Sequence, residues 1–292
     1  MGTSPECLRY FADFIEKEIG IVYSEVNYYQ LESRLEDIAK QLGYSDPMAL
    51  WEKAKVGGIH GSMDGSMKLL LIDTATNNET SFFRDPMVFK AIRTVLDSLI
   101  AKKSSTYERL RIWSAACSTG QEVYSLAIML EGMGAKIPFT YEILATDISE
   151  RVLKRASDGR YSQLEVQRGL AATQLVKYFK PETPASANDP AFWTINSELK
   201  RNITFQKLNL LDPWPGHKTC DIVLCRNVLI YQTIENKKKV VAKIADILEP
   251  GGFLILGGAE SLIGISDALD YVTIEGAVVY RKKDGVAQRV AI

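Results

Sequence analysis

Apolar positions along this chain keep two different rhythms. From residue 6 to about residue 75 they recur every three to four residues, the spacing of one helix face. Tyr10, Phe11, Phe14, Ile15 and Ile19 form one stripe, and Leu31, Leu35, Ile38 and Leu42 form a second that Gly43 ends. Residues 47–55 predict a third helix and 68–74 a short fourth, across a loop punctuated by Gly57, Gly58, Gly61 and Gly65. Residues 1–75 therefore read as a small all-helical domain.

From Thr76 onward, short apolar runs alternate with helical stretches. Strands are predicted at 110–116, 139–146, 203–208 and 221–225. Helices are predicted at 87–102, from Gln121, at 149–157 (closed by Gly159) and at 235–248, the last terminated by Pro250-Gly251-Gly252. Segments 253–256 and 272–281 complete the sheet as an antiparallel pair, since no helix lies between them. Strands separated by helices make residues 76–292 an α/β unit with a mostly parallel, doubly wound sheet. One region breaks the alternation. Residues at about 165–204 hold a helix-like stretch (170–179), a proline-rich loop (181–190) and a β-like run (192–195), too long for an ordinary crossover.

The first α/β unit carries the candidate chemistry. Its strand leads through Cys117-Ser118-Thr119-Gly120 into a helix, and small residues there let a ligand approach the backbone. Only Gly120 of a Gly-x-Gly-x-x-Gly pattern is present, which argues against a grip on pyrophosphate. Glu122 stands early in the helix and can meet a cation, although Thr119-x-x-Glu122 also fits a capping box. Asp147 ends the second strand, where an acid takes ribose hydroxyls or simply caps the next helix. A ligand with a ribose, an amino group and no phosphate suggests S-adenosylmethionine.

Composition narrows the class. The chain has 292 residues, 46% of them apolar, with 35 basic against 36 acidic residues. A net charge of −1 supplies no global field for nucleic acid. Cys7, Cys117, Cys220 and Cys225 lack metal-site spacing and read as reduced thiols, so no metal is expected. No apolar run approaches a membrane span and no signal-peptide pattern occurs, which predicts a soluble cytoplasmic protein without membrane insertion.

Asn78-Glu79-Thr80-Ser81-Phe82-Phe83-Arg84, Ala145-Thr146-Asp147-Ile148, Asn209-Leu210-Leu211 and Cys225-Arg226-Asn227-Val228-Leu229-Ile230-Tyr231 resemble, in the same order, segments of the CheR family of chemotaxis receptor methyltransferases. The resemblance extends over about residues 10–280. It implies a class I, Rossmann-like S-adenosylmethionine-dependent methyltransferase with an N-terminal helical domain and a β-rich insert. It also implies methyl transfer to glutamate side chains of methyl-accepting chemotaxis receptors, with S-adenosylhomocysteine as product. By the same resemblance, Asn78, Thr80 and Arg84 line the cofactor and substrate pocket. Glu122 meets the methionine amino group, Asp147 the ribose, Asn209 and Leu210 the adenine, and Asn227 and Val228 the methionine side. Gln121 and Val123 stand where the family often has Glu and Pro.

The residues support this chemistry on their own terms. A glutamate with a pKa of about 4.3 is already an anion at neutral pH, so attack on a sulfonium needs no general base. Neither His60 nor His217 is placed for that work. Alignment is what remains for the protein to supply. Arg84 can hold a carboxylate in a defined fork, or can be a surface ion pair. Tyr231 can place its hydroxyl near the reacting carboxylate, or can be a packed aromatic. A nucleic-acid amino-methyltransferase would show an Asn/Asp-Pro-Pro-aromatic segment, and here the position reads Cys225-Arg226-Asn227-Val228. A non-catalytic sensor of the cofactor, and transfer to another carboxylate, remain as alternatives.

Two expectations concern docking of a monomer onto receptor. In the family the second helix is basic. Here it carries Glu32, Glu36 and Asp37 beside Arg34 and Lys40, so transfer to receptor should change little between low and physiological ionic strength. A steep loss of rate with salt would show a charge-steered encounter. Some members also grip a receptor C-terminal peptide with a glycine-containing turn and a basic strand in the insert. The corresponding residues 181–189 contain neither glycine nor a basic residue, and the strand 192–195 is apolar. Titration with C-terminal receptor peptides should give no saturable binding, and affinity of about micromolar strength would overturn this.

Overall fold

The computed structural model describes residues 3–56, 63–103, 108–134, 140–183, 186 and 190–283. Gly57, Gly58, His60, Gly61, Phe139 and half of the 181–190 loop (184, 185 and 187–189) lie outside the described residues. Helix α1 (Pro5–Ile19) starts where Ser4 accepts the Cys7 N–H and Pro5 takes the first turn, and Gly20 stops it at φ +76°. Then follow α2 (Tyr28–Leu42), ended by Gly43, α3 (Pro47–Lys55), capped by Asp46, and α4 (Gly65–Ala75). The fourth helix starts three residues earlier than its apolar pattern suggests. These helices share a core of their own, built on Phe11, Ile15, Leu31, Leu35, Leu50, Met67 and Leu71.

The α/β part begins with α5 (Pro86–Lys103), β1 (Leu110–Ala115), α6 (Gln121–Met133), β2 (Tyr141–Asp147) and α7 (Glu150–Asp158). It continues through β3 (Arg160–Ser162), α8 (Gln163–Gln167), α9 (Ala172–Tyr178), β4 (Phe179–Pro181), β5 (Phe192–Ile195) and α10 (Ser197–Lys200). The main sheet resumes with β6 (Ile203–Lys207) and β7 (Cys220–Leu224), then α11 (Ile234–Ile247), β8 (Leu248–Ile255), β9 (Leu269–Ile274) and β10 (Ala277–Lys282). Its seven strands run in the order β6-β2-β1-β7-β8-β10-β9. The first five are parallel, and β10 is antiparallel to both neighbours. One apolar layer, with Ile92, Val95, Tyr124 and Leu126, covers one face of the sheet. Another, with Trp113, Val240, Val241 and Ile244, covers the other.

Three expectations are corrected. Pro250-Gly251-Gly252 does not form a loop after the helix, because α11 passes straight into β8, which contains the triplet. The sheet absorbs it as a register shift opposite Cys220 and Ile222, with Gly251 at φ +76°. Segment 272–281 is a hairpin whose turn is Glu275-Gly276, both in the left-handed region. The insert's three-stranded sheet has the order β3-β5-β4 and draws its first strand from Arg160–Ser162, upstream of the expected start. The apolar run 192–195 is thus the central strand, paired on both edges.

The insert braces the segments that carry the candidate chemistry. Tyr161 on β3 donates to the Thr119 carbonyl at 2.7 Å, and its ring meets Phe82 edge-on with centroids 5.1 Å apart. Phe179 on β4 meets Phe82 at 5.6 Å and Tyr161 at 6.4 Å, so the three rings form one cluster. These aromatic pairs hold the Phe82-Phe83-Arg84 backbone from below.

Candidate active site

Strand order reverses between β1 and β7. The chain steps outward from β1 to β2 to β6, then crosses back to β7 on the other side. A crevice opens at such a point beyond the carboxyl ends of the strands. Here it is a cleft open to solvent at its mouth, and it gathers nearly all of the candidate residues. Asn78, Thr80 and Arg84 reach it from the segment before α5. Glu122 comes from the first turn of α6, Asp147 from the end of β2, and Asn209 and Leu210 from beyond β6. Asn227, Val228 and Tyr231 come from beyond β7.

Gly120 is the exception. It lies off the cleft wall, and its φ of +94° with a close approach to Ala156 and the Tyr161 hydroxyl explains the glycine. A Cβ there would sit 2.9 Å from the Ala156 Cβ. The small residues that do face the cleft are Ala116, Cys117 and Ser118.

Left-handed backbone concentrates at this site. Ala116, Ser118 and Asn227 on the wall have φ of 65°, 51° and 58°, and Phe83 and Asp85, on either side of Arg84, have 48° and 61°. Such conformations persist where surroundings over-determine them. Those surroundings are explicit. Ser118 donates its N–H to Asp147 and its hydroxyl to the Asn78 carbonyl, at 2.9 and 2.8 Å. The Phe83 N–H goes to the Ser125 hydroxyl at 2.9 Å.

Asp147 is almost fully buried, and accepts the Ser118 and Ser149 N–H groups. Glu122 accepts the Ser114 hydroxyl at 2.7 Å on one oxygen and Arg226 at 2.9 Å on the other. A carboxylate offers about four lone-pair sites, so each acid can take further donors from a ligand. Arg84 is half-buried, donates to the Glu79 carbonyl at 2.9 Å, and makes no ion pair among the described residues. The surface-salt-bridge reading of Arg84 therefore fails. The Tyr231 hydroxyl accepts from the Asn77 side chain at 2.9 Å at the cleft wall, so this tyrosine is not merely a packed aromatic. The Asn209 amide is already engaged, donating to the Glu18 carbonyl and accepting the Leu211 N–H.

Sequence reasoning missed several residues here. Arg226 is buried on the wall and joins Glu122 to Asp85. Glu260 accepts four backbone N–H groups, from Asn227 (2.7 Å), Val228 (3.1 Å), Ile230 (3.2 Å) and Gly257 (2.8 Å), and so fixes the loop after β7. Ile19, the last residue of α1, and Ile21, just after Gly20, line the cleft. Arg226 stands inside a quoted motif and was the one with a signal available, a charge between apolar residues at a strand end.

The lining holds three carboxylates (Glu79, Glu122, Asp147), two guanidiniums (Arg84, Arg226) and no lysine or histidine. It has buried acids for hydroxyl and ammonium groups and no phosphate cradle, which fits S-adenosylmethionine. Among the described residues no cluster of His, Cys, Asp or Glu could hold a metal ion. His217 packs on Trp113, ring centroids 4.6 Å apart, away from the cleft. No helix of the described residues is long and apolar enough to cross a membrane.

Fold and cleft together define a class I S-adenosylmethionine-dependent methyltransferase. Residues 78–278 match the CheR methyltransferase, SAM binding domain. Chemotaxis protein methyltransferase 1 of Pseudomonas aeruginosa is 34% identical over 288 residues, covering 97% of this chain and all of that one. Chemotaxis protein methyltransferase Cher2 of Pseudomonas putida is 32% identical with the same coverage. The chemotaxis protein methyltransferase of Vibrio parahaemolyticus is 33% identical over 279 residues, 94% of this chain and 96% of that one. The chain belongs to the CheR methyltransferase family.

Burial raises the Asp147 carboxyl above its ordinary range, outweighing the backbone N–H donors that favour the anion. A carboxyl raised in the fold adds stability below its unfolded pKa and loses it as pH climbs through the folded value. Relative to wild type, Asp147→Asn should thus gain stability as pH rises from about 4. Denaturant unfolding of the ligand-free proteins over about pH 4 to 8 measures this difference. A difference independent of pH would show that Asp147 titrates normally.

Proposed function

We propose that this protein transfers a methyl group from S-adenosylmethionine to glutamate side chains of methyl-accepting chemotaxis receptors, giving methyl esters. The observation that carries the reading is Arg84, a guanidinium without an acidic partner among the described residues, on the wall of a cleft whose acids suit a nucleoside with an amino group.

Bound S-adenosylmethionine supplies an electrophilic methyl on a sulfonium. A receptor carboxylate oxygen bonds to that methyl as the carbon–sulfur bond breaks and its electron pair returns to sulfur. Carboxylate and sulfonium charges cancel, leaving a neutral ester and a neutral thioether. Asp147 accepts ribose hydroxyls and Glu122 the methionine ammonium. Leu210 and the backbone at Asn209 flank the adenine, and Asn227, Val228, Asn78 and Thr80 enclose the methionine end. Gly120 contributes through the turn it permits, not by contact.

Arg84 orients the incoming carboxylate and holds it in line, and Tyr231 presents its hydroxyl beside it. The protein withdraws no proton. Alignment of this kind is worth roughly 7–11 kcal/mol when complete. The reading includes a division of labour, with residues 1–75 meeting the receptor's helical bundle and 76–292 carrying transfer. It also places a metal-free monomer in the cytoplasm, recruited to receptor arrays.

The α2 surface suits docking without strong charge steering. Arg34 turns inward to the Tyr23 hydroxyl and Ala75 carbonyl, leaving Glu36, Asp37 and Lys40 exposed.

The test is transfer of labelled methyl to receptor-containing membranes. Base-labile label on protein indicates a carboxyl ester. Arg84→Ala should lose roughly 100-fold or more of the rate, the scale at which misplaced reactants slow a reaction. Its thermal midpoint should move little. If that variant unfolds, Arg84 is structural. Absence of base-labile label with the wild-type protein would remove the receptor carboxylate as substrate.

A further inference from the structure

Arg226 follows Cys225 at the end of β7, and its side chain is only 2% exposed. One terminal nitrogen donates to Glu122 Oε2 at 2.9 Å. The other donates to Asp85 Oδ2 and to the Arg84 carbonyl, both at 2.8 Å. The guanidinium carbon lies 5.5 Å from the Phe89 ring centre, so the aromatic face of α5 covers it. One flat cation thus bridges α6, the strand end and the two backbone units around Arg84. Asp85 precedes α5, where its carbonyl accepts the Val88 and Phe89 N–H groups, and it is held at φ +61°. The Arg84 side chain leaves a segment pinned at Phe83 through Ser125 and at Asp85 through Arg226.

We propose that Arg226 and Asp85 are positioning residues for methyl transfer, a buried clamp that fixes the Arg84 backbone relative to Glu122. This rests on the roles of Arg84 and Glu122 given under Proposed function. The clamp couples the end of the cleft that holds the cofactor's ammonium to the end that receives the carboxylate. Cofactor and nucleophile are thereby registered through one guanidinium. Lysine cannot replace it, because a single ammonium lacks the fork that reaches Glu122 on one tine and Asp85 with the Arg84 carbonyl on the other. The Asp85 bond serves the substrate end alone, while the Glu122 bond serves both.

That asymmetry sets the experiment. Asp85→Gly removes the carboxylate while tolerating φ +61° and the start of α5, where glycine costs little relative to an acid. It should lower kcat at least tenfold and keep S-adenosylhomocysteine affinity within about twofold by calorimetry. Asp85→Asn, which tolerates the same backbone and still offers an oxygen to Arg226, should recover most of the rate. Arg226→Lys should lose both rate and affinity, since Glu122 is released as well. Independently of activity, amide hydrogen exchange over residues 79–85 should accelerate in Asp85→Gly while α6 stays protected. Unchanged exchange in that segment overturns the clamp, as does a wild-type kcat in Asp85→Gly. An affinity loss matching the rate loss would also overturn it, by showing general collapse of the cleft. Absence of receptor methylation by wild type is a separate failure, of the functional reading and of the registered transfer with it.

Discussion

The structure depends on a constraint that no side chain creates, the reversal of strand order between β1 and β7. Parallel strands bring their carboxyl ends to the same edge of the sheet, and where neighbouring connections leave in opposite directions nothing covers the strand ends. The cleft is what remains. Its remaining walls are built from parts that lie elsewhere in the chain: the segment before α5, the α1–α2 linker, and the loop after β7 that Glu260 gathers. The insert then supports these walls from outside through Tyr161 and Phe179.

Charge within the cleft is arranged under the same constraint. Arg226 and Glu122 are taken from water together, with side chains 2% and 12% exposed. Breaking such a buried pair on one side costs about 3–5 kcal/mol, because it strands the other charge. Arg84 differs, being half-buried and, among the described residues, bonded only to the Glu79 carbonyl. A guanidinium whose two terminal nitrogens are both held by acids, as in Arg226, has no fork to offer an incoming carboxylate. The two arginines, so close in space, are therefore suited to different work: Arg226 to holding and Arg84 to receiving.

The sequence made the fold readable where the physics is local. Helical period, strand alternation and the small-residue turn at 117–120 each depend on neighbours within a few residues, and these elements stand close to where their patterns put them. The failures come mostly from partners distant in the sequence. Pro250-Gly251-Gly252 looks like a terminator until a partner strand accommodates it as an irregularity in the ladder, and 272–281 hides its turn because Glu275 takes a left-handed conformation that its side chain does not announce. Glycine at 120 suggests a ligand's approach, whereas the crowding comes from Tyr161 and Ala156. The partners of Arg226 were not legible, because its acids lie 104 and 141 residues away. Family resemblance reached Arg84, Tyr231 and the cleft wall, which periodicity alone would not have assembled.

The linker after α1 shows why the helical unit and the transfer unit are not independent. Gln232, directly after Tyr231, donates its amide to the Ile19 carbonyl, and the Asn209 amide donates to the Glu18 carbonyl. The Val22 N–H reaches the Tyr231 carbonyl at 2.9 Å, and Ile21 bridges to Gln232. Gly20 sits at the centre of this contact with φ +76°, and a Cβ there would fall 2.1 Å from the Gln232 side-chain oxygen. The turn that ends α1 is therefore moulded on the loop carrying Tyr231. Ile19 and Ile21 enter the cleft on the same stretch of backbone, one residue to either side. A shift of the helical unit must move a cleft wall and the Tyr231 backbone together.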